Sequence, residues 1–100
     1  MEKRAFERTP VFFNAILFYD EFFHRAFIIN ISQKGIYFSS NANLSSGSNI
    51  EISMPLESPE LTVPFKIVRI SETDMISSRF GAELLHPSQE YIKFIHSRTS

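Results

Sequence analysis

The sequence predicts a mainly β domain: six antiparallel strands arranged as a compact barrel or sandwich, followed by one short packed helix. Three observations carry that expectation. Short apolar runs, most of them alternating with a period of two, follow one another closely and are bounded by Pro, Gly, Asn, Asp or Ser. Phe dominates the large side chains, with eleven copies and no Trp, and such flat groups suit a half-buried pleated surface better than a helical bundle. Only beyond Pro87 does the spacing of apolar residues change to that of a helix. Closure of the sheet would also leave no apolar strand with a bare edge.

Met1 to Pro10 is polar, carrying Glu2, Lys3, Arg4, Glu7 and Arg8, so residues 1–10 read as a flexible N-terminal arm. Val11 to Tyr19 is apolar on both alternating faces, too short for a typical helix and bracketed by Pro10 and Asp20, and reads as the first strand. Asp20-Glu21 makes a turn. Phe22 to Ile31 forms a second strand, with Arg25, Phe27, Ile29 and Ile31 on one face and His24, Ala26, Ile28 and Asn30 on the other. The turn Asn30-Ile31-Ser32-Gln33-Lys34-Gly35 follows. Its Asn and Ser can hydrogen-bond nearby backbone, and its Gly can take a positive φ without a Cβ clash.

Gly35 to Ser40 is a short third strand, closed by the loop Asn41 to Ser48. In the fourth, Ile50, Ile52, Met54 and Leu56 alternate with Asn49, Glu51, Ser53 and Pro55. In the fifth, Leu61, Val63, Phe65 and Ile67 point inward, Pro64 places its early part at an edge or bulge, and Arg69 breaks the apolar face. Ser71 to Met75 reads as a turn, and Phe80, Ala82 and Leu84 define the sixth strand. Pro87 and Ser88 then start a helix with Tyr91, Ile92 and Ile95 on one face, too short to be stable unless it docks. Residues 11–86 are thus the β unit and 87–100 the packed helix of one domain.

Composition narrows the function. A formal net charge of −1 without a basic stripe argues against a bulk grip on DNA, RNA or anionic lipid. No cysteine is present, which removes disulfides, thiol catalysis and Cys-ligated zinc. No apolar run is long enough for a membrane span and no signal-peptide pattern opens the chain, so a cytoplasmic protein is expected. His24, His86 and His96 show neither metal-ligand spacing nor a nucleophile partner. The expectation is therefore no enzyme, no catalytic residue, no metal and no cofactor.

The residues suited to a ligand are arginines and the turn. Arg4 and Arg8 lie four apart, and the planar guanidinium fork grips phosphate or a guanine edge through paired hydrogen bonds. Arg4-Ala5-Phe6-Glu7-Arg8 followed by Asn30-Ile31-Ser32-Gln33-Lys34-Gly35 matches the paired motifs RxxxR and [DN]xSxxG in type and order. With Ile67-Val68-Arg69-Ile70 and Arg79-Phe80-Gly81-Ala82-Glu83-Leu84, these residues make the chain resemble the PilZ domain family over nearly its whole length.

The resemblance implies a six-stranded antiparallel β-barrel with a short C-terminal helix, and a bacterial receptor or adaptor for cyclic di-GMP. It implies that Arg4 and Arg8 hold phosphate and the guanine O6/N7 edge, that Asn30 and Ser32 hydrogen-bond further guanine and phosphate positions, and that Gly35 shapes the turn. Arg69 reads either as an exposed strand arginine or, by the resemblance, as a plane that stacks on a guanine. In the family a basic residue at the position of Lys3 accompanies a stacked ligand dimer, which leaves one or two ligands per chain open. Ligand binding would alter a surface offered to a downstream protein partner. An adaptor that binds protein without nucleotide, and a small-barrel binder of single-stranded nucleic acid, are the other functions considered, with DNA binding and membrane insertion not expected.

Overall fold

The computed structural model describes residues 8–54, 61–72, 77–86 and 89–99. Their strands are β1 (Thr9–Tyr19), β2 (Phe22–Ile31), β3 (Gly35–Ser40), β4 (Asn49–Met54), β5 (Leu61–Glu72) and β6 (Ser78–Leu84), and the helix is α1 (Gln89–Thr99). The strands close into an antiparallel barrel in the order β1-β2-β3-β6-β5-β4, with β4 returning to pair with β1. Barrel, not sandwich, is the outcome.

Alternation explains the interior. Leu17, Ile28, Ile36, Phe38, Ile52, Met54, Val63, Phe65, Ile67 and Phe80 are fully or almost fully buried, and they come from all six strands. Helix α1 adds Tyr91, Phe94 and Ile95 to the same core. Edge contacts of Phe94 with Phe13 (5.7 Å between ring centres) and of Tyr91 with Phe65 (5.7 Å) hold it there. Phe94 joins the expected apolar face, whereas Ile92 is only half-buried.

The bounds of β2 and β3 are those read from the sequence. Strand β1 instead starts at Thr9, because Thr9 pairs with Ile31 and Pro10 with Asn30, so the last two residues assigned to the arm belong to the sheet. Strand β5 runs on through Ser71 and Glu72, opposite Arg79 and Ser78, which corrects a turn beginning at Ser71. The expectations for Leu56, for residues 73–75 of that turn and for Pro87 and Ser88 fall outside the described residues. Pro64 behaves as its missing N–H requires. It pairs with Glu51 on β4, while the β5–β6 ladder begins at Phe65, and on that side Pro64 serves only as an acceptor, its carbonyl oxygen taking Leu85 N at 3.2 Å just past the end of β6. Asp20 and Glu21 both take positive φ (54° and 68°), the geometry of a two-residue hairpin turn that matches strand twist.

Simple alternation fails at three places, each a β-bulge. Between Pro10 and Phe13, the residues Val11 and Phe12 of β1 oppose Ile29 alone. Ile29 is in turn an extra residue relative to β3, because Ile28 pairs with Phe38 and Asn30 with the next residue, Tyr37. Val68 is extra relative to β6, where Ile67 pairs with Ala82 and Arg69 with Gly81. An extra residue reverses which face the following side chains occupy. Asn30 would share the inward face with Ala26 and Ile28, yet Ile31 is the fully buried residue and Asn30 faces out. This corrects the face assignment of β2 beyond Ile28. Arg69 would likewise follow Ile67 into the core, and the bulge at Val68 turns it to solvent.

Candidate functional site

The two outward-turned residues meet on one surface. Arg8, Asn30, Lys34, Tyr37, Arg69 and Glu83 line a cleft of about 340 Å³ where β2 turns into β3, over a floor of Gly35, Val68, Gly81 and Ala82. Three cations face one carboxylate there, although the whole chain is slightly acidic. Such a cleft suits an anionic ligand of small-molecule size. Arg8 closes it from the start of β1, its Nη1 donating to Asn30 Oδ1 at 2.8 Å.

Ser32 does not line the cleft. It is buried, and its hydroxyl accepts the backbone N–H groups of Lys34 and Gly35, both at 3.2 Å, while its own N–H donates to Gly35 O at 2.8 Å. The serine therefore satisfies three backbone groups of a turn whose ends, Ser32 and Gly35, are buried while Gln33 and Lys34 face solvent. Gly35 is needed for a different reason from the one its turn position suggests. It is absent from the positive-φ residues, where Gly47 (93°) is the only glycine among the described residues. A Cβ on Gly35 would instead lie 2.1 Å from the carbonyl oxygen of Ala82 across the β3–β6 pairing. Close backbone approach, not φ, excludes a side chain there.

Helix α1 is keyed to this turn. The Tyr91 hydroxyl donates toward two buried carbonyl oxygens, Ser32 O at 2.9 Å and Gly35 O at 3.1 Å. Burial raises the phenol's pKa well above its ordinary value, and the nearby positive charge of Arg8 opposes that rise only in part. Leu84 N donates to Lys34 O at 2.7 Å and ties the same turn to β6.

Of the residues expected from the sequence, Arg8, Asn30, Gly35 and Arg69 come together at the cleft, Ser32 lies beneath it, and Lys3 and Arg4 fall outside the described residues. Lys34, Tyr37 and Glu83 were not singled out. Their signal is positional: Tyr37 and Glu83 take the outward phase on the strands that flank the turn, but only the register Gly35↔Glu83 and Tyr37↔Gly81 shows that they meet. Among the described residues, no three His, Asp or Glu side chains are grouped to hold a metal, and no helix is long and apolar enough to cross a membrane.

The chain is a small closed-barrel domain with a cation-rich cleft at one strand turn and a helix hydrogen-bonded to that turn. The chain belongs to the PilZ domain family, whose model matches residues 2–97. No curated protein matches it. Among solved structures it is similar to the PilZ domain of YcgR from Escherichia coli with c-di-GMP, at 16% identity and a TM-score of 0.72 over 95% of this chain and 87% of that one. It is also similar to PlzA of Borreliella burgdorferi in complex with c-di-GMP, at 17% identity and a TM-score of 0.71, covering 94% of this chain and 40% of that one. The Inhibitor of motility MotI/DgrA of Bacillus subtilis matches at 17% identity and a TM-score of 0.66, over 99% and 54% of the two chains. The chain thus spans well under two thirds of PlzA and of MotI/DgrA, and similarity at these identities establishes the shared fold.

Proposed function

We propose that this PilZ domain is a non-enzymatic receptor for cyclic di-GMP, bound between Arg8 with the arm before it and the Asn30–Gly35 turn. The observation that carries the reading is the convergence of Arg8, Asn30, Lys34 and Arg69 on one outer cleft, produced by bulges that turn two of them out of the core. The ligand brings two phosphate charges and two guanines. Arg8 and Lys34 supply charge-assisted donors to phosphate, and an arginine fork also fits the guanine O6/N7 edge. The Arg69 guanidinium offers a plane for stacking. Asn30 Oδ1 and the Glu83 carboxylate accept from the guanine N1–H and N2–H₂ donors. In this reading the ligand exchanges the Arg8–Asn30 bond for its own contacts, and Arg4 and Lys3 add further cations, with Lys3 favouring a second ligand.

Glycine and serine act indirectly. Gly35 lets β3 approach β6, and Ser32 holds the turn's N–H groups, so the cleft is already shaped before ligand arrives. The output is a change in the surface offered to a protein partner. Titration calorimetry with cyclic di-GMP, GTP and a single-stranded oligonucleotide tests the proposal. Saturable heat with cyclic di-GMP alone, lost in Arg8→Ala, is the expected result. No heat with any of the three at about 100 µM protein would overturn it in favour of a nucleotide-independent adaptor, and preferential binding of the oligonucleotide would favour the nucleic-acid alternative.

A further inference from the structure

Gly81 is a glycine that neither its backbone conformation nor its packing requires. It lies inside β6 between the core residues Phe80 and Ala82, in the outward phase of the strand, and Gly47 is the only described glycine with a positive φ. A Cβ on Gly81 would meet a single atom within 4 Å, Arg69 Cβ at 3.5 Å, which is ordinary contact. Gly35 differs, since there the Ala82 carbonyl blocks the Cβ position. The bulge opposite Gly81, at Val68 of β5, does not crowd it either. A glycine inside a strand costs backbone entropy relative to alanine, and where no backbone presses on it the missing side chain serves close approach of a ligand.

The strand register shows what kind of group fits there. Tyr37 pairs with Gly81 on one side and Arg69 on the other, so Tyr37, Gly81 and Arg69 form one row across β3, β6 and β5. Tyr37 stands in the outward phase between the buried Ile36 and Phe38, and Arg69 is turned outward by the bulge. Both line the cleft, with Gly81 in its floor. Two strand spacings, about 9.6 Å, separate the Cα atoms of these two walls. A planar ring in contact on both faces needs its neighbours about 7 Å apart, so a phenol and a guanidinium leaning slightly inward enclose one aromatic ring. Asn30 continues the row beyond Tyr37 and accepts from Arg8 at 2.8 Å, so the Arg8–Asn30 pair and the open position over Gly81 lie on opposite sides of the phenol. Glu83 follows on the same face of β6, about 7 Å along the strand from Gly81, within reach of the edge of a ring lying there.

We propose that Tyr37 and Arg69 are the two walls of a base slot over Gly81, in which one guanine of cyclic di-GMP is sandwiched, and that Gly81 is glycine for the ligand and not for the fold. The slot rests on the receptor reading above, to which it adds a second stacking face and a floor. Tyr37 supplies an aromatic plane and Arg69 a cationic one, the two kinds of surface on which a nucleobase stacks.

Calorimetry with cyclic di-GMP and a thermal melt on Gly81→Ala read both halves together. The melting temperature is expected to stay within about 5 °C of wild type or to rise, while the Kd rises about tenfold or more because the methyl fills the floor of the slot. Tyr37→Ala is expected to weaken binding by about 10-fold to 100-fold, and Tyr37→Phe to restore it. The chain has no Trp, so Tyr37→Trp places a single indole in the wall, and its fluorescence is expected to be quenched by the stacked guanine as cyclic di-GMP is titrated. Three results would each overturn the slot and leave the receptor reading intact: wild-type affinity in Gly81→Ala or Tyr37→Ala, a Gly81→Ala protein melting more than about 5 °C below wild type, or calorimetric binding by Tyr37→Trp with unchanged indole emission. No binding by wild type at about 100 µM protein would overturn both.

Discussion

Replacing Gly35 by alanine tests the central structural claim about the cleft, that its turn is set by how closely two strands approach. The added Cβ would sit 2.1 Å from Ala82 O, where ordinary contact begins at 3.4 Å, so β3 and β6 must part by about 1.3 Å. The obstacle is backbone on a paired strand, which cannot swing aside as a side-chain tip could. Three hydrogen bonds lie at the point of separation: Ser32 N to Gly35 O (2.8 Å), Leu84 N to Lys34 O (2.7 Å) and Tyr91 Oη to Gly35 O (3.1 Å). Losing two at about 1 kcal/mol each, with about 1–3 kcal/mol for overpacking, gives a destabilisation of about 3–5 kcal/mol. In a domain of this size that lowers Tm by roughly 15–30 °C. Urea unfolding followed by circular dichroism measures it. Gly47→Ala is the control: Gly47 has a φ of 93° and open space around it, so the substitution costs only the left-handed backbone penalty, about 1–2 kcal/mol. A Gly35→Ala protein within about 1 kcal/mol of wild type, or one less affected than Gly47→Ala, would refute the close-approach argument.

Arg8→Ala should raise the Kd for cyclic di-GMP by about 30-fold or more, the loss of a charge-assisted contact, while Tm stays within a few degrees because the side chain is exposed. Calorimetry and a thermal melt check both halves. Arg69→Lys keeps the charge but removes the plane, so an affinity as weak as that of Arg69→Ala marks stacking, whereas recovery by lysine marks charge alone. Ser32→Ala should cost about 1–2 kcal/mol of stability, because the buried Gly35 N–H and the part-buried Lys34 N–H lose their acceptor. Tyr91→Phe should cost a similar amount, about 1–2 kcal/mol, by leaving Ser32 O without its phenol donor and Gly35 O with one fewer. Because the folded state keeps the Tyr91 phenol protonated beyond its ordinary range, wild-type stability is fully present below the unfolded phenol value of about 10 and falls as pH rises above it. Urea titrations at pH 9 and pH 11 on wild type and Tyr91→Phe should show a steeper decline for wild type.

Much of the barrel was determined by the sequence alone. The runs Val11 to Tyr19, Phe22 to Ile31 and Gly35 to Ser40 have the composition and bounding residues of strands, and periodicity fixes the core face where apolar and polar residues alternate, as from Asn49 to Met54, but not in Val11 to Tyr19, which is apolar on both faces. Helical spacing after Pro87 placed the apolar face of α1, and the motif residues pointed to Arg8, Asn30, Gly35 and Arg69 before any of them could be seen as neighbours. What only the tertiary structure decided are the properties that depend on a partner strand. A bulge is defined by the register of two chains, so period-two reasoning kept Asn30 on the face of Ala26 and Ile28 and could not show that the extra residues Ile29 and Val68 turn Asn30 and Arg69 outward to the same cleft. Local turn chemistry suggested a positive φ at Gly35, but the requirement comes from Ala82 O, 47 positions away in the chain. The same holds for Tyr91, which reads as one more apolar helix position until its hydroxyl is found on the carbonyls of Ser32 and Gly35. Sequence encodes what each residue does to its own backbone and which face it prefers, while contacts across the barrel arise only when closure brings distant strands to a spacing of about 4.8 Å.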